Sequence, residues 1–416
     1  MSRIAYNLLL LLLLPYAGLH LLWRSCRQPA YRRQVGERFG HYAEAAGVPL
    51  IWLHAVSVGE TRAAQPLVEA LLARYPTHRI LLTHTTPTGR ETSAQLFGDR
   101  VLRAYLPYDF PFAVRRFLKH FRPAIGVLVE TEIWPNLVAA CRREGVPLLL
   151  VNARLSEKSA RRYARFAGLT RETLAGLAGL AAQTEEDAGR LRALGATAVA
   201  VTGNLKFDTT PPEAQLSLGR RLRQRIGTRP VLLAASTREG EEALLFRALA
   251  RLAPQPALLL LVPRHPQRFD EVAALARRAG LALQRRSEEA AVHAGTTVLL
   301  GDSMGEMFAY YAACDLAFVG GSLLDHGGQN LIEACAVGVP VLIGHSTFNF
   351  AAASEAAVAC GAARRIDSAE TLLAEAAALL ADPPARAAMA AAGRDFAARH
   401  RGATARTLEI ISRAMR

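Results

Sequence analysis

In Trp52-Leu-His-Ala-Val-Ser-Val-Gly-Glu-Thr61 an apolar run breaks at Gly59 and a carboxylate, Glu60, follows. A carboxylate at the end of a buried strand has two uses. In the first turn of a helix it is favoured by the helix dipole, by about 0.3–1 kcal/mol. Ionised and within reach of a hydroxyl, it is a general base. Pro66 suits a first helical position, which predicts that Glu60 lies in the loop before the helix and favours the base. A second acidic pair, Glu130 and Glu132 in Val129-Glu-Thr-Glu-Ile-Trp-Pro-Asn136, also follows an apolar run. If that strand continues, the two point the same way, as like-charged neighbours with shifted pKa values; salt bridges to arginine are the structural alternative. Lys206, in Gly203-Asn-Leu-Lys-Phe-Asp208, stands out because the other lysines are only Lys119 and Lys158. Near a linker it is expected to face an interdomain cleft.

Three later segments suit a nucleotide. Ala235-Ser-Thr-Arg-Glu-Gly-Glu-Glu242 joins a strand to a helix, where free backbone N–H groups attract phosphate. Ser236 and Arg238 are its candidate contacts, although Ser236 and Thr237 also suit plain helix capping. Pro263-Arg-His-Pro266 follows another strand, and Arg264 can pair with phosphate or stack on a base. Gly320-Gly-Ser322 and Asp325-His-Gly-Gly-Gln-Asn-Leu-Ile-Glu333 make a glycine-rich strand-to-helix turn. Asn330 and Glu333 there have capping-box spacing, and Glu333 can also hold two ribose hydroxyls. The chain has no Walker A segment, no G-x-G-x-x-G, no D-x-D and no G-x-S-x-G. Its histidines lack metal-ligand spacing, so neither a metal nor a cofactor is expected.

The elements that must position these residues read as parallel βαβ units, because the apolar runs are continuous rather than alternating. Strands are expected at 50–56, 80–84, 101–106, 125–130, 148–152 and 199–202, with helices between them at 66–74 and 112–121. Pro211-Pro212 and charged surroundings read as a linker. The rhythm restarts with strands at 231–235, 257–262, 297–300, 316–319 and 339–343, and ends in an alanine-rich helical tail from 369 that breaks at Pro383-Pro384. The expected architecture is α/β: two Rossmann-like doubly wound domains facing a central cleft, with ligands at the carboxyl ends of the strands. A length of 416 residues suits two to three domains of about 150 residues each.

Residues 4–23 include seven consecutive leucines, Leu8–Leu14, with Asn7, Pro15 and His20 as polar or bent interruptions. About 20 apolar residues span a bilayer. Arg24, Arg27, Arg32, Arg33 and Arg38 follow the stretch, against Arg3 before it, so the body is expected on the cytoplasmic side of a retained N-terminal anchor. A cleaved signal peptide wants its charge before the apolar core. Lys+Arg outnumber Asp+Glu by 50 to 36, a surplus suited to anionic partners such as phospholipid or phosphorylated substrates. Without zinc-finger spacing, an RNP-like motif or a basic block, nucleic acid is not an expected partner. Five scattered cysteines without a C-x-x-C pair fit a reducing compartment.

Taken in order, "WLHAVSVGE", "THTTPTG" (83–89), "ETEIWPN" (130–136), "NARLSEKS" (152–159), "GNLKFD", "VPRHPQRF", "MGEM" (304–307), "GGSL" and "GGQNLIEA" resemble the Kdo transferases of lipopolysaccharide synthesis, a family of GT-B glycosyltransferases. The resemblance implies transfer of Kdo (3-deoxy-D-manno-octulosonic acid) from CMP-Kdo to the lipid A precursor (lipid IVA) at the inner membrane, among its anionic lipids. It also implies Glu60 as the base of an inverting reaction, and Glu130 and Lys206 as supports of the transition state. Pro263 and Arg264, Met304, Gly305 and Glu306, and Asn330, Leu331, Ile332 and Glu333 fall on its CMP-binding segments. The implied division is an anchor at 1–24, an acceptor-binding domain at 35–205, a linker at 206–229, a donor-binding domain at 230–400 and a C-terminal helix at 401–416. Where a proline is expected after Gly344, the chain has His345-Ser346, a departure that bears on donor affinity. The rival readings are a GT-B enzyme of envelope synthesis using a UDP-sugar, a nucleotide-sugar epimerase, and a non-enzymatic membrane scaffold. Nothing in the residues indicates an oligomeric state.

Overall fold

The computed structural model describes residues 1–43, 47–251 and 257–415; Arg416, the last residue of the expected C-terminal helix, lies outside them. The chain forms two compact units, residues 1–209 with 400–416, and residues 210–399.

The first unit opens with helix α1 (Arg3–Arg27), one helix long and apolar enough to cross a membrane. Then strands and helices alternate: β1 (Leu50–His54), α2 (Val58–Ala63), α3 (Gln65–Arg74), β2 (Arg79–His84), α4 (Pro87–Phe97), β3 (Val101–Tyr105), α5 (Pro111–Phe121), β4 (Ile125–Val129), α6 (Pro135–Arg143), β5 (Leu148–Ala153), α7 (Glu157–Ala164), α8 (Ala167–Ala175), β6 (Gly179–Ala182), α9 (Glu185–Ala193) and β7 (Val199–Val201). The strands form one sheet in the order β3-β2-β1-β4-β5-β6-β7, all parallel. Every side chain of β1 is buried, and a core lies on each face of the sheet. That is why the strands read as unbroken apolar runs. Trp52 is fully buried and donates from Nε1 to Thr83 Oγ1 at 2.8 Å. Gly126 on the neighbouring strand makes room for its ring: a Cβ there would stand 2.6 Å from it.

The second unit holds α10 (Glu213–Ile226), β8 (Val231–Thr237), α11 (Glu241–Arg251), β9 (Leu258–Pro263), α12 (Phe269–Arg278), β10 (Leu283–Arg285), β11 (Val298–Leu300), α13 (Met307–Ala313), β12 (Leu316–Val319), α14 (Ile332–Val337), β13 (Val341–Ile343), α15 (Ala351–Ala359), β14 (Ala363–Arg365), α16 (Ala369–Leu380) and α17 (Pro383–Arg399). Its parallel sheet runs β10-β11-β9-β8-β12-β13-β14. The last helix, α18 (Ala403–Ala414), returns to the first unit, where Ala403 and Ile411 enter the core beside β1.

One sequence expectation needs correction here. Residues 206–229, read as a linker, contain α10. Gly219, Leu222 and Ile226 of that helix are buried, and a Cβ on Gly219 would stand 2.5 Å from Ala309 O of α13. The polar spacing that looked like a linker is the solvated face of a packed amphipathic helix. In the GGSL turn, part of the glycine-rich segment read as suited to a nucleotide, the N–H groups are taken by the fully buried Glu241 carboxylate, which accepts from Gly321 N (2.6 Å), Ser322 N (3.0 Å) and Leu323 N (3.0 Å), and also from Arg238 N (2.8 Å). Beside it the buried Glu242 receives both Arg268 Nη1 (2.8 Å) and Nη2 (3.0 Å) and the Thr237 hydroxyl (2.8 Å).

These two carboxylates tie the ends of β8, β9 and β12 together. A buried donor stripped of its acceptor costs about 1–3 kcal/mol, and Glu241→Ala strips four. The expected outcome is a loss of about 3 kcal/mol or more, seen as a lower urea midpoint at unchanged m-value; a change within 0.5 kcal/mol would contradict this assignment.

Candidate functional site

In a doubly wound sheet, ligands bind at the carboxyl edge where the strand order reverses. In the first unit that point lies between β1 and β4, which pair in parallel. Glu60 follows β1 and Glu130 follows β4, so the fold brings both sequence candidates to the switch point.

Glu60 lies in the first turn of α2, not in a loop before the helix. The helix begins at Val58, and Pro66 belongs to the next one, α3. Ser57 caps α2: its hydroxyl accepts from Glu60 N (3.4 Å) and donates to Glu60 Oε1 (3.0 Å), while Val56 N donates to Oε2 (2.7 Å). The capping use set aside in the sequence therefore holds, and it orients the carboxylate that the chemistry needs. Burial is the main cause that pushes the Glu60 pKa up, to about 7, followed by the charge of Glu130; the hydrogen bonds from Val56 and Ser57 pull the other way.

Glu130 does not continue its strand. β4 ends at Val129 and Glu130 is left-handed, with φ +63°, so the alternation that would align it with Glu132 is broken. Left-handed backbone is rare outside glycine and clusters at functional sites. The Glu130 side chain receives Lys206 Nζ at 3.0 Å. Lys206 stands on a single helical turn, Leu205–Asp208, capped by Asn204, and this pair lies within the first unit. Glu132 instead takes the Trp134 indole N–H, and burial raises its pKa.

Two buried histidines close the strand ends below this group. His54 Nδ1 meets Thr83 O at 3.0 Å, and His84 Nδ1 meets Ala55 O at 2.8 Å. Burial lowers their pKa to about 3 and about 4, so both are neutral at pH 7. Lys206 is the cation paired with Glu130. No local signal in the sequence separates these histidines from surface ones.

In the second unit the reversal lies between β8 and β12. At the end of β8 the register shifts, and Ser236 takes φ +56°. Arg264 N donates to Thr237 O (2.9 Å), which joins the segment after β9 to that bulge. Burial, and then the charges of Arg264, Arg238 and Arg268, lower the pKa of His265. The charges of three guanidinium groups thus act on one imidazole, and Glu242 answers the charge of Arg268.

The remaining candidates lie on other loops of the same edge. Met304 is exposed, and Gly305 has φ +80° and accepts from Gln215 Nε2 at 2.8 Å. Glu306, at the head of α13, receives Arg286 Nη2 at 3.2 Å and the Ser303 hydroxyl. Asn330 does not form the capping box its spacing suggested: the N-cap of α14 is Leu331, with no side-chain cap bond, while Asn330 Oδ1 accepts from Ile332 N (3.1 Å) and Nδ2 donates to Glu333 Oε1 (3.0 Å). The Leu331 and Ile332 side chains are buried, so these two have only backbone to offer a ligand. Ser346, in the departing loop, is buried: it donates from N to Ser322 O and accepts from Gly327 N, both at 3.0 Å. It braces the glycine-rich turn. Among the described residues no group of three or more His, Cys, Asp or Glu is arranged to hold a metal.

A family model described as 3-deoxy-D-manno-octulosonic-acid transferase (kdotransferase) matches residues 33–209, and one described as glycosyl transferases group 1 matches residues 280–396. Anabaena HepE, solved in complex with UDP, superposes with a TM-score of 0.61 at 14% identity, covering 88% of this chain and 99% of that one; that likeness shows the two-domain GT-B fold. A 3-deoxy-D-manno-octulosonic acid transferase of Bordetella pertussis is 50% identical over 99% of both chains. The one of Haemophilus influenzae is 38% identical over 99% of this chain and 98% of its own. Identity at that level across nearly the whole length places the chain in the 3-deoxy-D-manno-octulosonic acid (Kdo) transferase family of glycosyltransferases.

Proposed function

We propose that this enzyme moves Kdo from CMP-Kdo to a hydroxyl of the lipid A precursor (lipid IVA) at the cytoplasmic face of the inner membrane, inverting the anomeric centre, with Glu60 as general base. The observation that carries this reading is the Glu60 carboxyl, oriented by Ser57 and Val56 and titrating at about 7. A base is most effective when its pKa lies near the working pH.

In the proposed step the acceptor hydroxyl gives its proton to Glu60 as its oxygen attacks the anomeric carbon. The bond from that carbon to the CMP phosphate breaks, and the electron pair leaves with CMP. Negative charge gathers on the departing phosphate, where fixed cations contribute most. Arg238 and Arg264, whose charges act on His265, are the candidates in the second unit, with Pro263, Ser236, Met304–Glu306 and Asn330–Glu333 shaping the nucleotide site. Glu130 and Lys206 act as a pair: the carboxylate holds the Glu60 pKa up, and the ammonium keeps the two carboxylates from excluding one another. The arginine surplus suits the phosphates of a lipid acceptor and of anionic lipids. No cofactor enters this scheme.

The first test compares purified wild-type protein and Glu60→Gln with CMP-Kdo and a tetra-acylated lipid A precursor. The expected result is a fall in kcat/KM of about 100-fold or more, with CMP binding retained. Transfer at near wild-type rate would move the base elsewhere, and absence of both transfer and CMP binding in the wild type would remove the donor.

Titration gives a second test. Glu60 is protonated below about pH 7, so kcat/KM is expected to fall as pH drops through that value. Glu130→Gln removes a charge that raises the Glu60 pKa. The acid limb should then move to lower pH, whatever the loss in maximal rate. Linkage sets the stability trend: the folded pKa lies above the unfolded value of 4.5, so the folded state binds more protons and stability falls as pH rises from about 4.5 to about 7. Glu60→Gln should flatten that part of the Tm profile, and an unaltered profile would count against the assignment.

A further inference from the structure

Helix α1 is long enough to cross a bilayer, yet its contacts describe another orientation. Near its first turns Tyr6 donates its hydroxyl to Asp109 Oδ2 at 3.0 Å, Asn7 Oδ1 accepts from Asn136 Nδ2 at 2.6 Å, and Arg3 lies 3.5 Å from Glu172. At its other end Arg24 donates to the Tyr31 hydroxyl (3.3 Å). Tyr31 is buried under Arg38, which reaches Thr85 O at 3.0 Å. Both ends of one helix are thus tied to one body.

Between those ends the exposure is periodic. Tyr6, Asn7, Leu10, Leu14, Ala17 and Leu21 are partly covered and Ser25 is buried, whereas Leu8, Leu12, Leu19 and Trp23 are exposed. At 100° per residue the covered positions fall in one stripe about 100° wide. Only a helix lying along a surface acquires such a stripe. A crossing helix would carry Tyr6 about 27 Å along its axis from Arg24, at 1.5 Å per residue, and so across a hydrocarbon layer of about 30 Å. Asp109 and Asn136 could not follow, because they belong to the sheet-bearing body.

Ten of the sixteen exposed large hydrophobic side chains among the described residues belong to α1, so the apolar surface is one strip rather than scattered residues. Arg24, Arg32 and Arg33 are exposed where the strip ends. An apolar strip bordered by cations matches the acyl boundary and the anionic headgroups of a membrane surface.

We infer that α1 lies in the plane of the membrane surface, one face seated on the first unit and the opposite face in the acyl boundary, instead of spanning the bilayer. Its N-terminus then stays on the same side as the catalytic body. This concerns the seating of the enzyme and is independent of Glu60.

The test uses the full-length chain with Ser2→Cys, in a Cys26→Ser background, expressed in cells converted to spheroplasts and treated with a membrane-impermeant maleimide. Labelling only after lysis is the expected result, and labelling in intact spheroplasts overturns the inference. Asn7→Cys with Asn136→Cys should form a disulfide in native membranes under mild oxidation; its absence, in a chain that retains transferase activity, also overturns it. A dye on Leu12→Cys should shift to shorter emission wavelength with phosphatidylglycerol vesicles. An unshifted dye together with Leu12→Cys chains joined to one another would assign the strip to a second copy and sink the proposal.

Discussion

Helices on both faces of a parallel sheet leave water and ligands one place to meet the strands, at their ends. This constraint organises both units of the protein. β1 is buried along its whole length, with Trp52 filling the space that Gly126 leaves, and nothing on those faces is accessible to a substrate. The residues assigned to chemistry stand at the end of a strand or in the segment that leads from it to the next helix, with Asn330–Glu333 where the loop after β12 meets α14. The reversal of strand order adds the second part of the constraint. It opens the edge between β1 and β4 in one sheet and between β8 and β12 in the other, because the connections there leave in opposite directions.

The two units put a glutamate into the same place for opposite ends. Glu60 lies in the first helix after the first strand of its sheet, and Glu241 does the same in the second. Glu241 is fully buried and accepts from four backbone N–H groups, so its charge is satisfied and it serves as a rivet between loops. Glu60 accepts from one backbone N–H and one hydroxyl, and a second carboxylate stands nearby. Burial, and then the charge of Glu130, raise its pKa further than those two bonds offset. Hydrogen-bond count separates the structural acid from the candidate base.

Much of this was legible in the residues. Long continuous apolar runs identified the central strands to within one or two positions. The strands that escaped notice were β6, made of Gly179-Leu-Ala-Ala182, and the three-residue edge strands β10 and β14, which carry arginine. Small or charged residues there leave no apolar signal, since neighbouring elements supply the burial. Strand ends before glycine and acid located Glu60, Glu130 and the second-unit loops. Two things were hidden. The left-handed turn at Glu130 is fixed by its neighbours, including the bond from its N–H to Val151 O, not by its own propensity. The capture of the GGSL turn by Glu241 joins residues eighty positions apart, beyond any local pattern.

One short segment joins catalysis to attachment. Glu130 and Glu132 open the stretch that ends at Pro135-Asn136, the start of α6. There Asp109 accepts from Asn136 N (2.9 Å) and Leu137 N (2.8 Å) while receiving Tyr6 of α1. Burial raises the Asp109 pKa to about 7 even against those N–H donors. Its acceptor oxygens are therefore occupied on one side by the helix that follows the candidate catalytic loop and on the other by the helix that carries the leucine strip. Six positions separate Glu130, the carboxylate paired with Lys206, from Asn136, which α1 holds through Asn7. For the acylated acceptor proposed above, whose sugar hydroxyl would sit at the proposed base while its tails remain in lipid, a segment that ties both places to one body keeps the distance between them constant.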